Sequence, residues 1–290
     1  MKKIHMVDVV GQYEKYSSII NKIIHTVINS GQYIQGEQVK CFEDNLSKYL
    51  HSKYTISCGN GTDALYIALM SLNLKRGDEV LVPPFTFIST VEAVCLLGLK
   101  PVFVDIDPET FLLNPELVTR NISKKTKAII PVHLFGQCCD MINIKKIAKE
   151  YGLYIIEDAA QSIGSQCAIN NMNKMQFSGT IGHIGITSFY PSKNLGAFGD
   201  GGAIFTQNKQ LSEKIKLITN HGQNKKYIHK IIGVNSRLDA LHASVLNFKL
   251  SLLNEFNMKR KKIASDYDAN LRSLNWLKTP ITRGQSDHVF

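Results

Sequence analysis

The stretch Ile186-Thr187-Ser188-Phe189-Tyr190-Pro191-Ser192-Lys193-Asn194-Leu195-Gly196-Ala197-Phe198-Gly199-Asp200-Gly201-Gly202-Ala203-Ile204-Phe205-Thr206 carries the reading of the whole chain. Two strand-like apolar runs, Ile186 to Tyr190 and Ala203 to Thr206, flank a polar loop that holds one lysine and four glycines. No helical crossover fits between them, so one of these two strands runs antiparallel to its neighbour. The glycines leave room for something bulky and flat beside Lys193, which makes that residue a candidate covalent anchor. Lysine is common here, however: only six of the 34 basic residues are arginines, and a lysine in a turn is ordinarily a solvated charge. The rest of the chain has to decide.

Upstream, strand-like runs recur at Tyr54 to Ser57, Glu79 to Val82, Pro101 to Val104, Ala128 to Val132 and Leu153 to Ile156. Most are separated by helix-compatible stretches: Thr62 to Leu74, Thr86 to Leu97, Asn114 to Asn121 and Met141 to Tyr151. Seven short strands with helical crossovers imply an α/β domain with a largely parallel sheet covered on both faces. Ligands of such sheets bind beyond the carboxyl ends of the strands. Two helices come first: apolar residues at Ile19, Ile20, Ile23, Ile24, Val27 and Ile28 form one stripe, and a second helix covers Val39 to Leu50. Beyond Arg237, the stripe Leu238, Leu241, Val245, Phe248 and Leu252 predicts a helix, and a charged helix follows to about Leu274. The chain stops at His288-Val289-Phe290, which reads as a strand beginning with no partner. The expected division is a large domain over residues 1–250 and the start of a smaller one over 251–290.

A hydrophobic content of 44% with 20% charged residues is that of a folded globular chain. The net charge of +10 comes mostly from lysines spread along the sequence. Nucleic-acid readers favour clustered arginine, so the charge is read as solubility, with no nucleic-acid partner expected. A basic mouth for an anionic substrate fits equally well. The six cysteines show no C-x-x-C spacing and sit in or beside apolar segments, the pattern of reduced, packed thiols. No apolar run approaches a bilayer span, and Asp8, Gln12 and Glu14 interrupt what would be a signal-peptide core. A cytoplasmic protein without membrane contact is the expectation.

Three motifs at expected strand ends carry chemistry. Cys58-Gly59-Asn60-Gly61-Thr62-Asp63-Ala64-Leu65 places a glycine turn and a helix N-terminus after the first strand, an arrangement suited to a phosphate. Gly59-x-Gly61-x-x-Ala64 also matches a dinucleotide fingerprint. That site wants an acid at the end of the second strand, where this chain has Val82-Pro83-Pro84. A simple phosphate is therefore favoured over NAD, while plain helix capping by Thr62 and Asp63 stays open. Tyr154-Ile155-Ile156-Glu157-Asp158-Ala159-Ala160-Gln161 ends a strand in two acids, of which at least one is expected to face the pocket; a metal ligand or a helix cap is the alternative. His133 also ends a strand and is a candidate pocket-lining residue. Asp105 to Pro108 reads as turn chemistry. A phosphate cradle, a strand-end carboxylate and a glycine-flanked lysine are together the parts that pyridoxal phosphate requires.

The same motifs, with Gly233-Val234-Asn235-Ser236-Arg237-Leu238-Asp239, resemble the DegT/DnrJ/EryC1/StrS family of sugar aminotransferases, in order from about Ile4 to Phe290. The resemblance implies an aspartate-aminotransferase-like fold (fold type I) and a homodimer with shared active sites. By position, Lys193 would hold pyridoxal 5'-phosphate through a Schiff base, and Asp158 would keep the pyridine nitrogen protonated. Gln161 would lie by the phenolic oxygen, while Gly61, Thr62 and Ser188 would bind the phosphate. Asn235 would reach that phosphate from the partner subunit, and Phe87 would lie over the ring. Arg237 would meet an anionic group of substrate across the dimer. Relatives that dehydrate sugars carry His in place of the lysine, so Lys193 points to amino transfer, with glutamate the expected donor. The segments Gly31 to Gly36 and Pro131 to Cys138 look most like the branch that makes 3-amino sugars from UDP-linked 3-keto uronic acids for surface polysaccharides. Family members continue past the position of Phe290 into a smaller C-terminal domain, so a truncated or regulatory relative that binds cofactor without turnover is the other reading, beside an NAD-dependent sugar-nucleotide enzyme. The polar segment Asn170 to Gln176 is longer than the family leads one to expect.

Overall fold

The computed structural model describes residues 7–170, 172, 174–284 and 286–290. Helices α1 (Val9–Ser30) and α2 (Glu37–Leu50) lead into strand β1 (Tyr54–Cys58). Then α3 (Gly61–Ser71), β2 (Glu79–Val82), α4 (Ser89–Leu96), β3 (Lys100–Phe103), α5 (Pro115–Arg120), β4 (Thr126–Ile129), α6 (Met141–Tyr151) and β5 (Tyr154–Asp158) alternate. Short strands β6 (Gln166–Ala168) and β7 (Met175–Phe177) precede β8 (Ile184–Ser188) and β9 (Gly202–Thr206). Helix α7 (Lys209–Thr219), the hairpin β10 (Gln223–Lys225) and β11 (Ile228–His229), helices α8 (Ala240–Leu250) and α9 (Leu253–Leu271), and β12 (Ser286–Asp287) follow.

The seven expected strands form one sheet in the order β1-β9-β8-β5-β4-β2-β3. Strands β8, β5, β4, β2 and β3 are mutually parallel, and β9 is antiparallel to both β8 and β1. This is the antiparallel strand that the helix-free Lys193 loop demands. Side chains alternate across the sheet. Val80, Val82, Ile156, Ile186 and Ile204 pack with Ile67, Ala68 and Ile215 of α3 and α7 on one face. Leu81, Ile129 and Ile155 pack with Met141 and Ile144 of α6 on the other. A third cluster joins the α2 stripe Val39, Phe42, Leu46 and Leu50 to Leu246 and Leu250 of α8, and to Phe189 and Leu195 from the lysine loop. The anchor loop is thus fastened to a core of its own.

Sheet order also decides the dinucleotide question. A dinucleotide unit needs its first two strands adjacent and parallel. Here β1 and β2 lie five strands apart, and β1 is an edge strand whose neighbour is antiparallel. The glycine turn after β1 therefore belongs to a different kind of phosphate site. The C-terminal stretch is corrected too: a strand pair forms, but at Ser286–Asp287 against β6. Helix α7 and the β12-β6-β7 sheet were absent from the sequence reading.

Candidate active site

At the carboxyl ends of β1, β5 and β8 lies a cavity of about 690 Å³. Gly61, Thr62, Phe87, Asp158, Gln161, Ser188 and Lys193 all line it. Residues spread over more than a hundred positions of sequence meet because β9 brings β1 alongside β8.

The cradle is built by the first turn of α3. Asn60 caps that helix, its side-chain oxygen accepting from the Asp63 N–H at 2.8 Å. The N–H groups of Gly61 and Thr62 precede any possible intrahelical acceptor and are left for a ligand. A β-carbon on Gly61 would lie 2.8 Å from Cβ of Ser188, and one on Gly202 would lie 2.5 Å from the Asn60 carbonyl oxygen. Close approach of β8 and β9 to the cradle thus requires glycine at both positions. Ser188 Oγ accepts the Tyr190 N–H at 3.3 Å, so its own proton is free to donate. Thr62 caps nothing; its hydroxyl meets Ser89 Oγ at 2.7 Å. Asp63 accepts from Ser236 at 2.6 Å, and Ser236 in turn accepts the Gly59 N–H at 2.9 Å. Capping belongs to Asn60.

Of the two acids ending β5, Asp158 faces the cavity and Glu157 faces away from it. Asp158 is held by its own backbone, which donates to Pro131 O at 2.9 Å and accepts from His133 N at 2.9 Å. Its carboxylate accepts the Ala160 N–H at 3.2 Å and the Thr90 hydroxyl at 3.0 Å. Burial pushes the Asp158 carboxyl up, against those two donors and the nearby Lys193. Burial also lowers Lys193, opposed by Asp158. Two opposite charges therefore line one cavity, each driven toward its neutral form by desolvation. A cationic ring nitrogen at Asp158 and a carbonyl carbon at Lys193 would satisfy both. With the free N–H pair at α3, these residues fit pyridoxal phosphate. Gln161 adds an oriented amide: its oxygen accepts the Phe135 N–H at 2.7 Å, which leaves its NH₂ group free to donate.

One expected pocket residue lies elsewhere. His133 does not line the cavity. It is fully buried, with Nε2 2.8 Å from Glu157 Oε2, while Nδ1 accepts the Cys139 N–H at 3.1 Å. The accepting Nδ1 puts the ring proton on Nε2, which donates to Glu157. That carboxylate also accepts the N–H groups of Gly179, Ile181 and Gly182, so the pair is a buried brace. Its direction follows from strand alternation: neighbours on β5 face opposite ways. Arg237 lines a separate cavity of about 300 Å³ and donates to Asn220 at 3.0 Å. Asn235 is exposed, its backbone bridged to Asn220. Neither joins the cavity of its own chain. Asp107 behaves as turn chemistry, its carboxylate accepting the Glu109 and Thr110 N–H groups at 3.1 and 2.9 Å. Sequence reasoning missed Ser89 and Thr90, whose adjacent hydroxyls read as an ordinary helix start.

Fold and cavity together define a fold type I, pyridoxal-phosphate-dependent aminotransferase. The model of the DegT/DnrJ/EryC1/StrS aminotransferase family matches residues 15–290, and the chain belongs to that family. It is 46% identical over 287 residues to UDP-2-acetamido-2-deoxy-3-oxo-D-glucuronate aminotransferase of Pseudomonas aeruginosa, covering 99% of this chain and 78% of that protein. Streptomyces venezuelae DesV, solved in complex with a ketimine intermediate, superposes with a TM-score of 0.95 at 35% identity over 100% of this chain and 76% of that one. NtdA from Bacillus subtilis, solved with the cofactor PMP bound, gives a TM-score of 0.89 at 34% identity over 100% and 65%. Among the described residues no helix is long and apolar enough to cross a membrane, and no cluster of His, Cys, Asp and Glu could hold a metal ion.

Proposed function

We propose that this chain transfers an amino group, from glutamate, to a nucleotide-linked keto sugar, a UDP-linked 3-keto uronic acid, in the cytoplasmic synthesis of a surface polysaccharide. The observation that carries the amino transfer is the convergence of Lys193, Asp158 and the α3 cradle on one cavity. The relative of Pseudomonas aeruginosa, which acts on such a sugar, supports the substrate class.

Pyridoxal phosphate, when bound, supplies an electron sink for a carbanion at the donor's α-carbon. Gly61, Thr62 and Ser188 bind the phosphate with backbone and hydroxyl donors. Asp158, buried, keeps the ring nitrogen protonated. Phe87, 69% exposed at the cavity wall, would cover the ring, and the free NH₂ group of Gln161 would donate to the phenolic oxygen. Lys193 would hold the cofactor, and its amine would serve as the base toward the donor's α-carbon proton. Burial favours its neutral amine, the form that acts as a base.

The chain works as a homodimer with shared sites. Asn235 and Arg237, which do not line the cavity of their own chain, serve the partner's, Asn235 at the phosphate and Arg237 at an anionic group of the sugar nucleotide. Absorbance spectra with added pyridoxal phosphate, before and after glutamate, test the proposal beside Lys193→Ala. Wild type should gain a visible band that glutamate bleaches, and Lys193→Ala should lose about 10²–10⁴-fold in turnover. A band that glutamate leaves unchanged would indicate a binding protein without turnover. A borohydride-stable adduct equal in both proteins would sink the anchor assignment.

A further inference from the structure

We propose that Thr90 is a positioning residue that holds the Asp158 carboxylate toward the ring nitrogen, and that the first turn of α4 ties this carboxylate to the phosphate cradle. The inference rests on the pyridoxal-phosphate reading of the cavity. Its basis is a pair of adjacent hydroxyls that reach opposite ends of one site.

Helix α4 begins at Ser89, and Ser89 and Thr90 both line the cavity. Ser89 and Thr90 are 7% and 1% exposed, so neither hydroxyl is a solvated surface group. The Ser89 hydroxyl meets Thr62 of the cradle at 2.7 Å. Thr90 donates to Asp158 Oδ2 at 3.0 Å. A threonine has one hydroxyl proton, and Thr90 spends its proton on Asp158. The contact between Thr86 and Thr90 at 3.0 Å therefore runs from Thr86 to Thr90. The result is a directed chain of hydroxyls, Thr86 to Thr90 to Asp158, in which each member polarises the next.

The consequences concern the proton at the ring nitrogen. A donor on Oδ2 favours the ionised carboxylate, which burial opposes. An ionised Asp158 adds an ion pair to the hydrogen bond from a proton-bearing ring nitrogen. The other carboxylate contact within the site is the Ala160 N–H on Oδ1. Two donors on different oxygens fix the plane of the group, and removal of one frees it to rotate. The phosphate end depends on Ser89 and Thr62, so loss of the Thr90 hydroxyl should disturb the nitrogen and spare the phosphate.

The test uses full-length protein loaded with pyridoxal phosphate labelled with ¹⁵N in the ring. Thr90→Val keeps the shape and deletes the donor; Thr90→Ser keeps the donor, and Thr90→Ala is a second deletion should valine prevent folding. In both deletions the nitrogen signal should move toward that of the unprotonated ring, with cofactor affinity kept within a few-fold and kcat down about tenfold. Thr90→Ser should restore signal and rate. A nitrogen signal unmoved in the folded deletion variants overturns the proposal. Asp158→Asn separates the two layers: if it too leaves the signal of the loaded protein unmoved, the assignment of Asp158 to the ring nitrogen fails, and this inference with it.

Discussion

Replacing Glu157 by Gln removes one charge and no volume, and the structure makes it one of the costlier changes available. Glu157 is 0% exposed, and its two oxygens face four N–H donors. Oε1 accepts from Ile181 at 2.6 Å and Gly182 at 2.5 Å, while Oε2 accepts from Gly179 at 2.9 Å and sits 2.8 Å from His133 Nε2. A glutamine places its NH₂ group at one of the two positions. Either way two donors then face a donor, and each orphaned N–H costs about 1–3 kcal/mol. The expected loss is roughly 2–6 kcal/mol, a large share of a typical total of about 5–15 kcal/mol. Rotation of His133 offers no escape, because its Nδ1 already accepts from Cys139. For a domain of this size the melting temperature should fall by on the order of 10 °C, read by calorimetry or by circular dichroism. Glu157→Leu should be worse, since all four donors then lose their acceptor. A Glu157→Gln protein melting within about 1 °C of wild type would refute the brace, because no arrangement of an amide satisfies that donor set.

Two further outcomes follow from other parts of the molecule. Lys249 is buried, donates to Gly196 O in the anchor loop, and is lowered by burial to about 8. Its folded value lies below the unfolded one, so the unfolded chain binds more protons between about pH 8 and 10.5, and stability rises with pH across that window. Relative to Lys249→Met, wild type should gain on the order of 3 kcal/mol over the interval, measured as paired urea midpoints; a constant difference would show that Lys249 is not desolvated. The proposed sharing of active sites makes a separate forecast. Mixing inactive Lys193→Ala and Asn235→Ala chains under subunit exchange should restore up to about a quarter of wild-type activity through hybrid dimers that own one intact site. No recovery after verified exchange would place Asn235 in its own subunit's chemistry.

Much of this architecture was legible because each main-sheet strand is a short apolar run between turn residues, and the Lys193 loop is too rich in glycine to be a crossover helix. Boundaries moved by one to three residues, as in β8, which begins at Ile184 rather than Ile186, and β4, which ends at Ile129 rather than Val132. Helix α7 escaped notice although Leu211, Ile215 and Ile218 stand at helical spacing behind the capping residue Asn208. Strands β6, β7 and β12 have two or three residues each, too few to display any period. At the site, Lys193, Asp158 and the α3 cradle could be found because each stands where a strand ends. His133 also stands at a strand end and was misplaced. Which way a strand-end side chain points depends on a partner, here 24 residues away, that no local pattern reveals. The same limit hid Thr90, whose partner is 68 residues away.

The placement of β9 between β1 and β8 carries a consequence for how the protein is made. Cys58 at the end of β1 pairs with Gly202, roughly 140 residues later, and at typical synthesis rates the ribosome needs on the order of ten seconds to produce that partner. Until then β1 has no neighbour in the sheet, and the cradle that follows it has no lysine loop opposite. The other parallel strands can pair in near-sequential order as they emerge. Cofactor capture is therefore a late event in the life of the nascent chain, and an N-terminal fragment ending before β9 should leave the ribosome unable to hold the phosphate and the lysine in one place.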